Sequence, residues 1–152
     1  MESRYYDPEI ETASRDELRR LMEGKLKAIV QHAWDRSPFY RERFEEANLL
    51  PDKIRSLEDI SRLPFLTKED LRKDQVAFPP WGSMLTLPHE ECQRVHMTSG
   101  TTGEPIKILD TPEDWTKFCH IYARMLYAYG IRKSDMVMPT FSFGPWIGFW
   151  AG

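Results

Sequence analysis

Eight residues, Thr98-Ser99-Gly100-Thr101-Thr102-Gly103-Glu104-Pro105, limit what the rest of this chain can become. They alternate short hydroxyl side chains with glycine and end in proline, a composition that suits neither a helix interior nor a central strand. Arg94-Val95-His96-Met97 precedes them and Ile106-Lys107-Ile108-Leu109 follows. The pattern predicts a strand from Arg94 to Ser99, a loop, and a returning strand from Ile106 to Leu109. Gly100 and Gly103 can take positive φ and let the backbone approach a ligand. Thr98, Ser99, Thr101 and Thr102 offer compact donors, and successive N–H groups in such a turn form an anion-binding concavity. Ser, Thr and Gly clusters are also ordinary loop composition, so order matters. The string is not a P-loop, because Pro105 stands where Gly-Lys-Ser/Thr is required, and the Gly-x-Gly-x-x-Gly dinucleotide fingerprint is absent.

The remaining elements follow from capping and periodicity. Ser14-Arg15-Asp16-Glu17 reads as a capping box, and Leu18, Leu21, Met22, Leu26, Ile29, Val30 and Ala33 recur at helical spacing to about Trp34. A second helix is expected from Ser37-Pro38 through Phe44. Residues 48–80 read as short helical turns, with caps at Ser56 and Thr67 and with Pro51, Pro64, Pro79 and Pro80 forbidding long elements. Thr111-Pro112-Glu113-Asp114 opens a further helix, whose buried side is expected to carry Trp115, Phe118, Cys119, Tyr122, Leu126 and Tyr129, with Gly130 ending it. Met136-Val137-Met138 reads as a short buried strand. The fold class expected is α/β: a helical leader, then strand-loop-strand and strand-helix-strand units.

The loop resembles the phosphate-gripping string of the adenylate-forming superfamily, Ser/Thr-Ser-Gly-Thr-Thr-Gly-x-Pro. Around it, Ser37-Pro38-Phe39-Tyr40-Arg41, Ile54 to Ile60, Leu63 to Arg72, Ala123-Arg124-Met125 and Phe141-Ser142-Phe143-Gly144-Pro145-Trp146 are similar, in order, to landmarks of the phenylacetate-CoA ligase family. The similarity runs from about Tyr5 to Gly152. It implies the amino-terminal part of the large domain of an ATP-dependent, AMP-forming aryl-acid–CoA ligase, in which a carboxylate becomes an acyl adenylate before transfer to coenzyme A. Ser99, Gly100, Thr101, Thr102 and Gly103 are then assigned to the nucleotide, with Mg²⁺ neutralising further phosphate charge. Phe141 and Trp146 are assigned to the wall of an aromatic carboxylic acid pocket. A Phe at 141 lacks the phenolic hydroxyl usual there, which sets phenylacetate itself in question.

The same resemblance leaves the catalytic residues unassigned. The superfamily often places Lys directly after the loop proline; here that residue is Ile106, and Lys107 falls on the opposite strand face, so it stays off the site. Glu104 would repel phosphate and is expected in solvent. His96 is expected to be a hydrogen-bonded structural histidine, since a substrate carboxylate is already ionised near neutral pH and needs no base. No metal site is proposed; the family's magnesium-binding acid would lie beyond Gly152.

At 152 residues and 41% hydrophobic, the chain can bury one core, whereas adenylate-forming enzymes are far longer. The expectation is a fragment: residues 1–80 as a helical amino-terminal segment and 81–152 as the start of the AMP-binding α/β domain, without the small mobile domain and inactive alone. Its apolar end, Trp146 to Gly152, calls for the missing remainder of the enzyme or a complementing chain. A net charge of −3 with acids and bases interleaved argues against nucleic-acid binding. No apolar leader opens the chain, and Pro139, Gly144, Pro145 and Gly148 break up the uncharged stretch after Asp135, so no membrane span is read and cytoplasm is the default. Cys92 and Cys119 suit neither a metal site nor a redox pair and are expected to pack as small hydrophobes. Two alternatives stay open: adenylyl transfer to coenzyme F420, and an inactive fragment or phosphate-binding subunit.

Overall fold

Each α-helix among the described residues starts behind a side chain that accepts a hydrogen bond from an otherwise orphaned amide. The computed structural model describes residues 3–98, 103–140, 144, 146 and 148. Asp7 caps α1 (Pro8–Glu11), Ser14 caps α2 (Arg15–Arg36), Ser37 caps α3 (Pro38–Glu46), Thr67 caps α4 (Lys68–Ala77) and Thr111 caps α5 (Pro112–Ala128). At Ser14 the box is reciprocal, with Glu17 accepting from the Ser14 amide at 2.8 Å. Such caps each contribute about 1 kcal/mol. Two 3₁₀ turns, Pro51–Lys53 and Leu57–Arg62, connect α3 to α4.

α2 runs two residues past the expected Trp34, and its end has a covalent cause. Pro38 disfavours helical backbone at the residue before it, and Ser37 accordingly sits at φ −119°, ψ 116°. α4 is a regular helix where only a short turn was expected, because Pro64 and Pro79 leave enough chain between them for nearly three turns. The described residues divide into two units, Ser14–His89 and the described part of Met1–Ala13 with Glu90–Gly152.

In the Ser14–His89 unit, Val30, Phe44, Leu49 and Ile54 form the buried core, with Leu26, Ala33, Trp34, Tyr40 and Leu63 packed around it. Trp34 and Phe44 stack with ring centroids 6.3 Å apart. A buried carboxylate is tied into the same unit: Asp74 accepts from the Ser83 amide at 2.8 Å and from the Ser83 hydroxyl at 2.5 Å. Fully buried Ser37 donates to the Ser83 carbonyl at 3.2 Å, so the segment around Gly82 is held from both sides.

Two half-buried carboxylates of this unit are held well below the usual range. The amides of Arg55 and Ser56, then Arg62, bring Asp59 to about 2. The hydroxyl and amide of Thr67, then Arg43, do the same for Asp70, also to about 2. Both lie below the unfolded value of about 3.9, so their stabilisation is complete above that pH and is lost as pH falls from about 4 towards 2. Thermal melts should therefore show a midpoint that drops through this window. In Asp70→Asn the drop should be shallower; identical slopes for the two proteins would reject the assignment.

In the second unit, β1 (Arg94–Met97) pairs antiparallel with β2 (Lys107–Asp110), Arg94 opposite Asp110 and Met97 opposite Lys107. The strands are shorter than the sequence predicts at the loop side and shifted by one residue at the far side. α5 follows directly. Its stripe Trp115, Phe118, Tyr122 is half-buried, with neighbouring centroids 5.2 and 5.5 Å apart. Cys119 and Tyr129, expected on the buried side, are exposed. Helical period says which residues share a face; burial needs a partner, and the hairpin reaches only the first turns of α5. Residues 3–13 pack on the other end of this helix, with the Tyr6 ring 6.0 Å from that of Tyr127 and Glu11 3.7 Å from Arg124. Met136, Val137 and Met138 are not a strand; they are exposed, Met136 at 98%, because no described strand lies alongside to take their hydrogen bonds.

Candidate functional site

The hairpin stem presents the hydroxyl and glycine loop, and the way it closes is specific. The Thr98 amide donates to the Ile106 carbonyl at 3.0 Å, as in any antiparallel pair. The return bond differs: the Ile106 amide donates to the Thr98 hydroxyl oxygen, also at 3.0 Å. The side chain of Thr98 thus takes the place of its carbonyl, and the main chain can leave the strand path at that residue. Ile106 is 1% exposed and anchors the far side of the closure.

Of the residues assigned to the nucleotide, Gly103 is described. It is exposed, with φ +144°, backbone that side-chain-bearing residues rarely adopt. Ser99, Gly100, Thr101 and Thr102 lie outside the described residues. Glu104 is exposed, as its charge requires. In the aromatic segment, Phe141 lies outside the described residues and Trp146 is 41% exposed. The structure therefore describes the stem and one end of the loop.

Behind the stem sits a polar and aromatic cluster. His96 is 2% exposed, and its Nε2 lies 2.8 Å from Asp110 Oδ2. A carboxylate oxygen only accepts, so the Nε2 hydrogen makes this bond. The His96 ring stacks on Trp115 at 5.9 Å between centroids and 19° between planes, and the Arg94 guanidinium lies 4.5 Å from the Trp115 ring centre. The expected hydrogen-bonded histidine is thus present, and its partner is the residue that sequence reading did not name. Asp110 gives a local signal only after the register is known, because it stands opposite Arg94 rather than His96.

Cys92 is not poised as a nucleophile. Burial, then the carboxylates of Asp114, Asp110 and Glu91, push the Cys92 thiol above its ordinary value. Among the described residues there is no group of three or more metal-ligating side chains. No described helix is long and apolar enough to cross a membrane.

The described part of the loop therefore offers a glycine at positive φ beside a stem closed by two hydrogen bonds of 3.0 Å.

No protein-family model matches the chain. It is 41% identical over 143 residues to the phenylacetate-coenzyme A ligase of Thermus thermophilus, a match covering 94% of this chain and 31% of that protein. Against the phenylacetate-coenzyme A ligase of Escherichia coli the identity is 38% over 142 residues, again 31% of the relative. The fold is similar to the crystal structure of 2-hydroxyisobutyryl-CoA ligase in complex with 2-HIB-AMP and CoA, with a TM-score of 0.91 and 39% identity over 98% of this chain and 31% of that one. The chain thus spans about a third of the length of the relatives it matches. Over that span it is similar to phenylacetate-coenzyme A ligases in sequence and to a 2-hydroxyisobutyryl-CoA ligase in both sequence and fold.

Proposed function

We propose that this chain is the phosphate-holding portion of an ATP-dependent, AMP-forming acyl-CoA ligase. The observation that carries the reading is the stem closed by Thr98 and Ile106, which presents Ser99-Gly100-Thr101-Thr102-Gly103 in a chain 41% identical to a phenylacetate-coenzyme A ligase. ATP, bound with Mg²⁺, supplies the adenylyl group that activates the carboxylate, and coenzyme A is the acceptor. The part of this chain is electrostatic. Backbone amides and hydroxyls of residues 99–103 hold the β- and γ-phosphates and stabilise the negative charge that builds as pyrophosphate departs. Gly103 lets the backbone come close enough to do so, and the stem keeps those donors from having to reorganise.

The test is ATP–pyrophosphate exchange by a full-length protein carrying this segment. Exchange should depend on an added carboxylic acid, and acyl-CoA should form when CoA is supplied. Absence of exchange with any carboxylate would remove the reading, and consumption of F420 in place of CoA would redirect it.

The acid proposed is aromatic. Trp146, half-exposed among the described residues, offers a flat apolar surface on which an aryl ring gains burial and stacking that a small acid cannot. One of the solved relatives is a ligase of 2-hydroxyisobutyrate, so the pair to compare is phenylacetate and 2-hydroxyisobutyrate. In Trp146→Ala the ratio of their kcat/KM values should fall roughly tenfold, with KM for ATP little changed. An unchanged ratio would take Trp146 out of the pocket.

A further inference from the structure

We propose that His96 is a positioning residue for the phosphate loop, acting through Asp110 and Trp115 to pin the stem against the start of α5. The proposal rests on the reading of residues 98–105 as that loop. His96 lies two residues before Thr98, where the stem closes, and its direct partner across the hairpin is Ile108. Its hydrogen bond goes past that partner to Asp110 at 2.8 Å. Asp110 is the last residue of β2 and precedes Thr111, the cap of α5, whose hydroxyl accepts from the Asp114 amide at 3.1 Å. Its own carbonyl accepts from the Gln93 amide at 2.9 Å. One side chain of β1 is therefore bonded diagonally to the residue at which β2 becomes α5, while its ring rests on Trp115 one turn into that helix.

A two-stranded hairpin with four residues in each strand has little else to hold its register. A slip of one residue would turn every side chain to the opposite face and break the Thr98–Ile106 closure from which the loop departs. An apolar residue at 96 would fill the space but would fix neither direction nor register. The buried imidazole does both, and the bond is directional in a way that stacking on Trp115 is not.

The experiment uses a full-length protein carrying this segment, with amide hydrogen exchange and MgATP binding by calorimetry as separate readouts. His96→Phe keeps a flat ring against Trp115 and removes the donor. It should speed exchange at the Thr98 and Ile106 amides by about tenfold or more, leave Tyr122 in mid-α5 unchanged, and weaken MgATP binding by about tenfold. His96→Gln, whose Nε2 can donate to the same carboxylate, should restore both readouts to within about threefold. Asp110→Ala breaks the tie from the other side and should resemble His96→Phe, which keeps the test open if the latter does not fold. If His96→Phe exchanges and binds like the unsubstituted chain, if His96→Gln is no better, or if Tyr122 is exposed to the same degree, the positioning role is wrong. If the unsubstituted chain binds no MgATP while the stem amides respond as expected, the tie stands as register control and the phosphate reading fails instead.

Discussion

Gly82→Ala should lower the stability of the Ser14–His89 unit by about 3 kcal/mol, whereas Gly24→Ala should raise it by about 0.5–1 kcal/mol, although both add a single methyl group. Gly82 sits at φ +85°, a conformation that costs an L-residue about 1–2 kcal/mol. A Cβ there would overlap the Asp74 Oδ2 atom and lie 3.2 Å from Asp74 Cγ and from Gln75 Cγ. Asp74 cannot swing aside without loss, because the same carboxylate accepts from the amide and hydroxyl of Ser83. Moving it leaves a buried charge short of its donors, a larger penalty than the strain. Gly24 is different on each count: it lies inside α2, nothing stands within 4 Å of its Cβ position, and alanine is the better helix former. Chemical denaturation followed by tryptophan fluorescence would compare the two. Equal midpoints for Gly82→Ala and the unsubstituted chain would show that Asp74 is not held as described.

Gly103→Val should cut ATP–pyrophosphate exchange in a full-length enzyme by roughly 10²-fold or more, with Glu104→Gln close to neutral. Gly103 adopts φ +144°, and a β-branched residue would force the chain out of that conformation where the loop rejoins the stem. The donors of residues 99–102 would then miss the phosphates they are proposed to meet. Glu104 is exposed and carries no such constraint. Thr101→Ala, losing one donor, should cost about 10²-fold if that donor acts on the departing pyrophosphate. Each variant is judged as a folded protein. Normal exchange by folded Gly103→Val would exclude this loop from phosphate binding, and an effect of Glu104→Gln as large as that of Gly103→Val would point to general electrostatics in place of backbone approach.

Much of the local structure was legible because its causes are local. The capping residues Ser14, Ser37, Thr67 and Thr111 each satisfy an amide three positions away, so the spacing alone places the helix starts. The loop between β1 and β2 was legible for the same reason, since glycine, hydroxyl and proline chemistry marks a turn whatever surrounds it. The errors share a cause as well. Met136-Val137-Met138 has strand composition but no partner strand beside it among the described residues, and Cys119 and Tyr129 have the helical spacing of a buried stripe but are exposed. Composition and period report what an element can do; a neighbouring surface determines whether it does so.

The candidate site divides along the same line. Legible in the sequence alone were the residue types of the hydroxyl and glycine loop, its place between two strands, and the family whose string it resembles, because these depend on chemistry within eight consecutive residues. Only the tertiary structure decided that Thr98 closes the stem with its hydroxyl, that His96 bonds to Asp110 and not to its direct partner, that Asp74 grips Ser83, and that Tyr6 and Glu11 pack with Tyr127 and Arg124. These pairings are set by strand register and by helices meeting over long separations in the chain. Their energy comes from burial and directional hydrogen bonds made only once the backbone has folded, so no local pattern of residues announces them.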